Sequence, residues 1–332
     1  MNSRARVEAA LRLADVDRPP AGAWGHTYRE EWSPDALARV TLERQRRYGW
    51  DFVKFQPRAS CFAEAFGSVY RPAGHPLHAP KLEQQAVSSL AEWKKLPRAD
   101  SGAKSLAGQV ESIGIAAREL GGAVPVIQTV FNPLTVASYL RGRDESLLVR
   151  ELREHPDVLG PALDRIGDTL IDFARRSVEA GAAGVFYAVS SGFAGRDRMP
   201  LEVYEELVLP HDVRVLEALP EEAWFNVLHL CGSNLHFELA GRMPRVNVVS
   251  WSIHNRGNPS LAGGRKRSGR AVMGGLAQRT TLARGRPEEV IEQAREALRA
   301  TSGRGFFLAP GCSVPPAARQ ENLLAMMRAV AA

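Results

Sequence analysis

Three residues in this sequence have the side chains and spacing to hold a soft divalent metal. His229 and Cys231 lie in Asn226-Val-Leu-His-Leu-Cys-Gly232, and Cys312 follows Cys231 by 81 residues in Phe307-Leu-Ala-Pro-Gly-Cys312. Alternate residues of a strand share a face, so His229 and Cys231 point the same way. Zinc favours thiolate sulfur and imidazole nitrogen, and three protein ligands leave a fourth position open for chemistry. A free thiol is mostly protonated at neutral pH and a weak nucleophile; coordination deprotonates it. Two cysteinates already cancel the charge of Zn²⁺, so an incoming thiolate makes the site anionic and keeps electron density on its sulfur. That favours sulfur alkylation over activation of water, without excluding hydrolysis. The competing reading is packing, because free cysteine is among the most buried residue types.

Other candidates gather where strands should end. His26 closes the first expected strand and Gln56 the second, Tyr187 with Ser190 and Ser191 the fourth, and His254 with Asn255 follow the sixth. His26, Gln56, Tyr187, Ser190, His254 and Asn255 are therefore expected to contact substrate. A metal-binding histidine needs a partner for its second ring nitrogen, and the sequence assigns none. Asp51 precedes its strand and receives no catalytic role. Cys61 has no ligand spacing and reads as a structural or free thiol.

The elements that must position these residues are short apolar segments bounded by turn residues: Ala21–His26, Phe52–Gln56, Pro125–Phe131, Gly184–Val189, Trp224–Cys231, Val246–Ile253, Ala271–Leu276 and Gly305–Pro310. Helical spacing lies between most of them, over Asp157–Ala180, Leu201–Leu219 and Pro287–Arg299, with a last helix over Glu321–Val330. Gly181 suits the end of the long helix. Eight strands alternating with helices predict an α/β fold, a single-domain (β/α)₈ TIM barrel over residues 1–332. His229, Cys231 and Cys312 would then share its C-terminal mouth, where catalytic groups of barrels gather. A doubly wound sheet would carry a Gly-rich phosphate loop, and no G-x-G-x-x-G or Walker sequence occurs. Residues 57–124 exceed one barrel connection and read as an elaborated loop region after the second strand, with a helix near Ala103–Leu120.

Composition is that of an ordinary globular protein and favours neither a disulfide scaffold nor a nucleic-acid binder. The 332 residues include only 3 cysteines, too few for a disulfide framework. The N-terminal segment has charges throughout and no apolar core, and no apolar run reaches membrane-spanning length, so a cytoplasmic location is expected, without membrane association. The net charge of +6 is scattered apart from Arg265, Lys266, Arg267 and Arg270. No aromatic residues interleave with that cluster, so it reads as a solvated loop and no nucleic-acid partner is expected.

Over nearly its full length the sequence resembles the uroporphyrinogen decarboxylase superfamily. The matching stretches are Tyr48-Gly-Trp-Asp-Phe-Val-Lys-Phe-Gln-Pro57, Glu179-Ala-Gly-Ala-Ala-Gly184, Leu201–Pro210, Pro310-Gly-Cys-Ser-Val-Pro-Pro316 and Glu321-Asn-Leu323. Within the superfamily it looks like the zinc methyltransferase branch, which methylates thiols such as coenzyme M from a methylated corrinoid protein. That branch carries His-x-Cys and a distant cysteine in a Pro-Gly-Cys context, here His229, Cys231 and Cys312. The resemblance implies Zn²⁺ on this trio, a small thiol as acceptor and a methylcorrinoid as donor. No corrinoid-binding Asp-x-His-x-x-Gly motif occurs here, which implies that the corrinoid sits on a partner protein. Members often dimerise, so a homodimer is also implied. The decarboxylases open instead with an Arg-Gln-Ala-Gly-Arg-Tyr stretch, where this chain has Gly22-Ala-Trp-Gly-His-Thr-Tyr-Arg-Glu-Glu31, and they carry histidine where Cys312 stands. Decarboxylation of an acidic tetrapyrrole is the alternative reaction, and a non-catalytic ligand-binding barrel the alternative class.

Overall fold

Strand alternation divides the buried side chains into two sets, and this division positions the site. The structure is a computed structural model describing residues 1–100 and 102–331. Its strands are β1 (Val53–Phe55), β2 (Val69–Arg71), β3 (Lys81–Gln84), β4 (Val126–Phe131), β5 (Gly184–Val189), β6 (Val227–Leu230), β7 (Val248–Ser250), β8 (Ala271–Leu276) and β9 (Phe306–Pro310). Seven of them form one curled parallel sheet in the order β1-β4-β5-β6-β7-β8-β9. One face turns inward and carries Phe52, Ile127, Phe186, Phe225, Val248, Met273 and Phe307. The other face packs under the helices through residues such as Val53, Phe55 and Val126 or Val185, Tyr187, Val249 and Leu308.

The first expected strand is the main correction. Among the described residues only Ala21 of Ala21–His26 makes a bridge, to Leu308. Pro19 and Pro20 have no N–H to give a ladder. The short segment is nevertheless bonded on both sides: Leu308 N–H donates to Pro20 (3.0 Å), Gly22 N–H to Leu308 (3.2 Å) and Asp51 N–H to Ala21 (2.9 Å). It thus lies between the two edges of the sheet.

The helices follow their expected positions with one break. Pro156–Glu179, Pro287–Thr301 and Gln320–Ala331 are continuous. The span expected over Leu201–Leu219 divides at Val208 into Leu201–Leu207 and Leu209–Glu217, because Pro210 lacks an N–H and crowds the carbonyl four residues back. Residues 57–124 hold the antiparallel β2–β3 hairpin and the helices Cys61–Ala65, Leu90–Lys95 and Lys104–Leu120. The basic cluster is not a solvated loop. Arg265, Lys266 and Arg267 lie in the helix Leu261–Ser268. Arg265 donates to the Thr301 carbonyl (2.8 Å), Arg267 pairs with Glu238 (3.0 Å), and Arg270 donates to Ala240 and Met243 (2.7 and 2.8 Å). Lys266 is exposed. Among the described residues no helix is long and apolar enough to cross a membrane.

The interior changes character along its axis. Phe52, Phe225 and Phe307 close one end with mutual ring distances of 5.5–5.8 Å, an aromatic plug in edge and stacked geometry. Toward the C-terminal ends of the strands the inward positions become polar: Lys54, His229 and Ser250 are all buried there.

Candidate metal centre

β6 presents Val227 and His229 inward and Leu228 and Leu230 outward. Cys231 continues the inward phase, and Gly232 then turns the chain at φ 105°. A Cβ on Gly232 would lie 3.0 Å from that of Ser191, so glycine meets both the backbone and the space requirement. Cys312 arrives from the far end of β9. The preceding Gly311 runs so close to β7's exit that a Cβ would sit 2.6 Å from Ser252 Cα.

These elements bring the trio together. One ligand atom each from His229, Cys231 and Cys312 lies within 4.8 Å of the others, and the two sulfurs are 3.8 Å apart. His229 Nε2 is buried with no hydrogen-bond partner. Its Nδ1 is 3.2 Å from Ser250 Oγ, directly across the β6–β7 register. With Nδ1–H donating to Ser250, the Nε2 lone pair is free to bind a metal. Ser250 is the partner that the sequence did not reveal. The thiols act as a pair. Cys312 is drawn well below an ordinary thiol, chiefly by accepting a hydrogen bond from Cys231 and further by His229. Cys231 is held well above it by giving that bond and by burial. An orphaned imidazole nitrogen beside two converging sulfurs fits a zinc-type ion.

The other expected residues divide. Gln56 and His26 lie together, with Gln56 Nε2 3.2 Å from His26 Nε2 and His26 Nδ1 2.8 Å from Glu31 Oε1. Gln56 Oε1 accepts from Lys54 Nζ (2.5 Å) and lies 3.5 Å from the Ser313 hydroxyl, next to Cys312. Asn255 and Asn258 both donate to the Gly232 carbonyl (2.8 and 3.0 Å), so Asn255 braces the turn after Cys231. His254 is 3.0 Å from the Gly275 carbonyl through Nε2, and Ser190 is 3.3 Å from Glu145. Tyr187 faces away from the trio. On β5 it alternates with the inward Phe186 and Ala188, and its hydroxyl donates to Asp212 (2.8 Å) beneath the helices. Asp212 is buried and its carboxyl is pushed up to about 6 by burial, against hydrogen bonds from Tyr204, Tyr187 and Asn132. Cys61 is free and buried, its thiol raised by burial.

A parallel α/β sheet with His, Cys and Cys converging at the C-terminal ends of its strands defines a candidate metalloenzyme centre. The uroporphyrinogen decarboxylase (URO-D) family model matches residues 2–332, and the chain belongs to that family. Methylcobamide:CoM methyltransferase MtbA from Methanosarcina acetivorans is 24% identical over 335 residues, covering 97% of this chain and 95% of its own. MtbA from Methanosarcina mazei is 25% identical over 336 residues, with the same coverage. A uroporphyrinogen decarboxylase from Pseudoalteromonas translucida is 28% identical over 195 residues, 57% of this chain and 52% of its own. Among solved structures, a methyltransferase from Methanosarcina mazei matches with a TM-score of 0.84 at 22% identity, covering 100% of this chain and 98% of the other. That likeness shows the fold.

Proposed function

We propose that the protein is a zinc-dependent methyltransferase that activates a small thiol and methylates it from a methylated corrinoid carried by a partner protein. The carrying observation is the orphaned His229 Nε2 converging with Cys231 and Cys312. Near full-length likeness to two methylcobamide:CoM methyltransferases supports the donor and acceptor classes. The same reading takes the chain as one eight-staved barrel domain, with residues 20–22 as the eighth stave, acting in the cytoplasm as a homodimer.

His229, Cys231 and Cys312 would hold the ion. When bound, zinc supplies the charge that keeps an acceptor thiol deprotonated at neutral pH. The chain's own residues set up that event. Ser250 orients the His229 ring, the amides of Asn255 and Asn258 fix the turn after Cys231, and the Phe186 ring stacks on His229 at 5.1 Å. Such a sulfur would take the methyl group as the bond from that carbon to the corrinoid breaks, its electron pair staying with the corrinoid. Metal analysis of purified protein should find about one zinc per chain, as one three-ligand site requires. Methylcobalamin turnover should then require a thiol. Zinc with no turnover of any thiol would leave a ligand-binding barrel. Porphyrinogen decarboxylation without metal would establish the other reaction of the family.

A further inference from the structure

Lys54 is a buried charge that the scheme above leaves unused. It faces inward on β1 and is 6% exposed. Its Nζ donates to Gln56 Oε1 at 2.5 Å and lies 4.8 Å from the Phe186 ring and 5.9 Å from the Trp24 ring. No carboxylate pairs with it among the described residues. An ammonium buried without a counter-ion is costly to hold. Here it is held by a one-way relay. Lys54 donates to Gln56 Oε1, Gln56 Nε2 donates to His26 Nε2, and His26 Nδ1–H donates to Glu31 Oε1. The relay fixes both the Gln56 amide and the His26 tautomer. It also joins Lys54 to the surroundings of the trio. Gln56 touches Ser313, next to Cys312, and the Phe186 ring that Lys54 covers also stacks on His229. The titratable groups around Lys54 are thus Glu31, His26, His229 and Cys312. Burial lowers its pKa to about 7, with Cys312 and then Glu31 pulling upward.

Two cysteinates neutralise a divalent ion, and a third thiolate leaves one uncompensated negative charge inside the sheet. We propose that Lys54 is the counter-cation for that charge, a positioning residue that favours the bound acceptor thiolate over the free thiol. The proposal rests on the zinc–thiol reading above. On binding, the acceptor S–H bond would break, its proton would leave to solvent and its sulfur would take the open ligand position. No oxidation is involved, and Lys54 keeps its own proton.

The test uses zinc-loaded wild type, Lys54→Met and Lys54→Arg. The acceptors are 2-mercaptoethanol, with an uncharged tail, and 3-mercaptopropionate, with an acidic one. Calorimetric Kd values at neutral pH should weaken roughly tenfold to a hundredfold in Lys54→Met for both thiols, as expected for the loss of one nearby opposite charge in a medium of intermediate dielectric. Zinc content should be unchanged, KM should rise more than kcat falls, and Lys54→Arg should recover most of the affinity. If Lys54→Met fails to fold, Lys54→Gln carries the same comparison. A loss confined to 3-mercaptopropionate overturns the proposal, because Lys54 would then bind the tail. Unchanged Kd values overturn it too, as does loss of zinc. If zinc-loaded wild type binds neither thiol, the underlying zinc–thiol reading falls with it, an outcome distinct from the other three.

Discussion

Asp51 and Lys54 lie three residues apart at β1, both charged and both buried, yet their surroundings are opposite. Asp51 accepts from Ser3 (3.1 Å), Arg6 (2.6 Å), Arg18 (2.6 Å) and the Ala21 backbone (2.9 Å). Arg6 is itself held by Asp17, whose carboxyl it draws well below the usual range. Lys54 has one neutral hydrogen-bond partner and two aromatic faces. A buried charge with every valence used ties the chain together. One left unsatisfied is tolerated where a ligand will answer it. The same contrast separates the aromatic plug from the mouth, where His229 Nε2 and Glu31 Oε2 are also buried without partners.

The largest effect should come from the unsatisfied end. Cys312→Ala should lose zinc and fall to background methyl transfer while its melting temperature stays near wild type, since packing and not the ion stabilises a chain of this size. Calorimetry and an activity assay on one preparation check this, and an unfolded variant would make the centre structural. Asp51→Ala should do the reverse. Removing one partner from a buried ion network costs about 3–5 kcal/mol, readable by denaturant titration, while the folded fraction keeps its zinc. A weaker metal site at full stability would erase the contrast between the two ends.

Ser250→Ala tests the brace behind the ligand. Loss of a histidine's outer partner lowers metal affinity by about 10- to 100-fold, so competition with a chelator should show a shift of that size. An unaltered affinity would mean that Ser250 does not set the tautomer. A further effect is pH-dependent and is read in metal-free protein. Lys54 releases its proton near pH 7 when folded and near 10.5 as an unperturbed lysine. Between those values the unfolded chain holds more protons, so wild-type stability should rise with pH. Lys54→Met lacks that slope. Relative to wild type it should therefore be most stable below pH 7, with the gap closing toward pH 10.5. A constant gap across the range would show that folding leaves the Lys54 proton as it is in the unfolded chain, so that burial does not lower its pKa.

Much of this was legible in the residues, and what was not has a physical cause. His229 and Cys231 share a face by strand parity, and Gly232 marks the turn that follows them. Tyr187 could not be assigned to a face in the same way. β5 is buried along its whole length, and a strand apolar on both sides carries no alternation from which to read its phase. Ser250 depends on the β6–β7 register, which only the folded sheet supplies. The first strand reads as extended from its composition, but among the described residues only Ala21 makes a bridge, and pairing across the sheet edges is not written in local composition. Lys54 did leave a signal, a lone lysine between Phe52 and Gln56 on alternate positions of a buried strand.

The segment around Ala21 has a consequence in time. It is held between β9 and the lead into β1, and Val314 N–H reaches back to the Trp24 carbonyl at 2.8 Å. The two edges of the sheet are therefore bridged by residues nearly 300 apart in sequence, contacts of very long sequence separation. A ribosome delivers His229 and Cys231 well before Cys312. During that interval a nascent chain offers an ion two of the three donors, and the missing donor arrives with the same stretch that seals the ring. If the trio holds zinc as proposed, tight capture of metal would report that translation has passed residue 312 and that the two sheet edges have met.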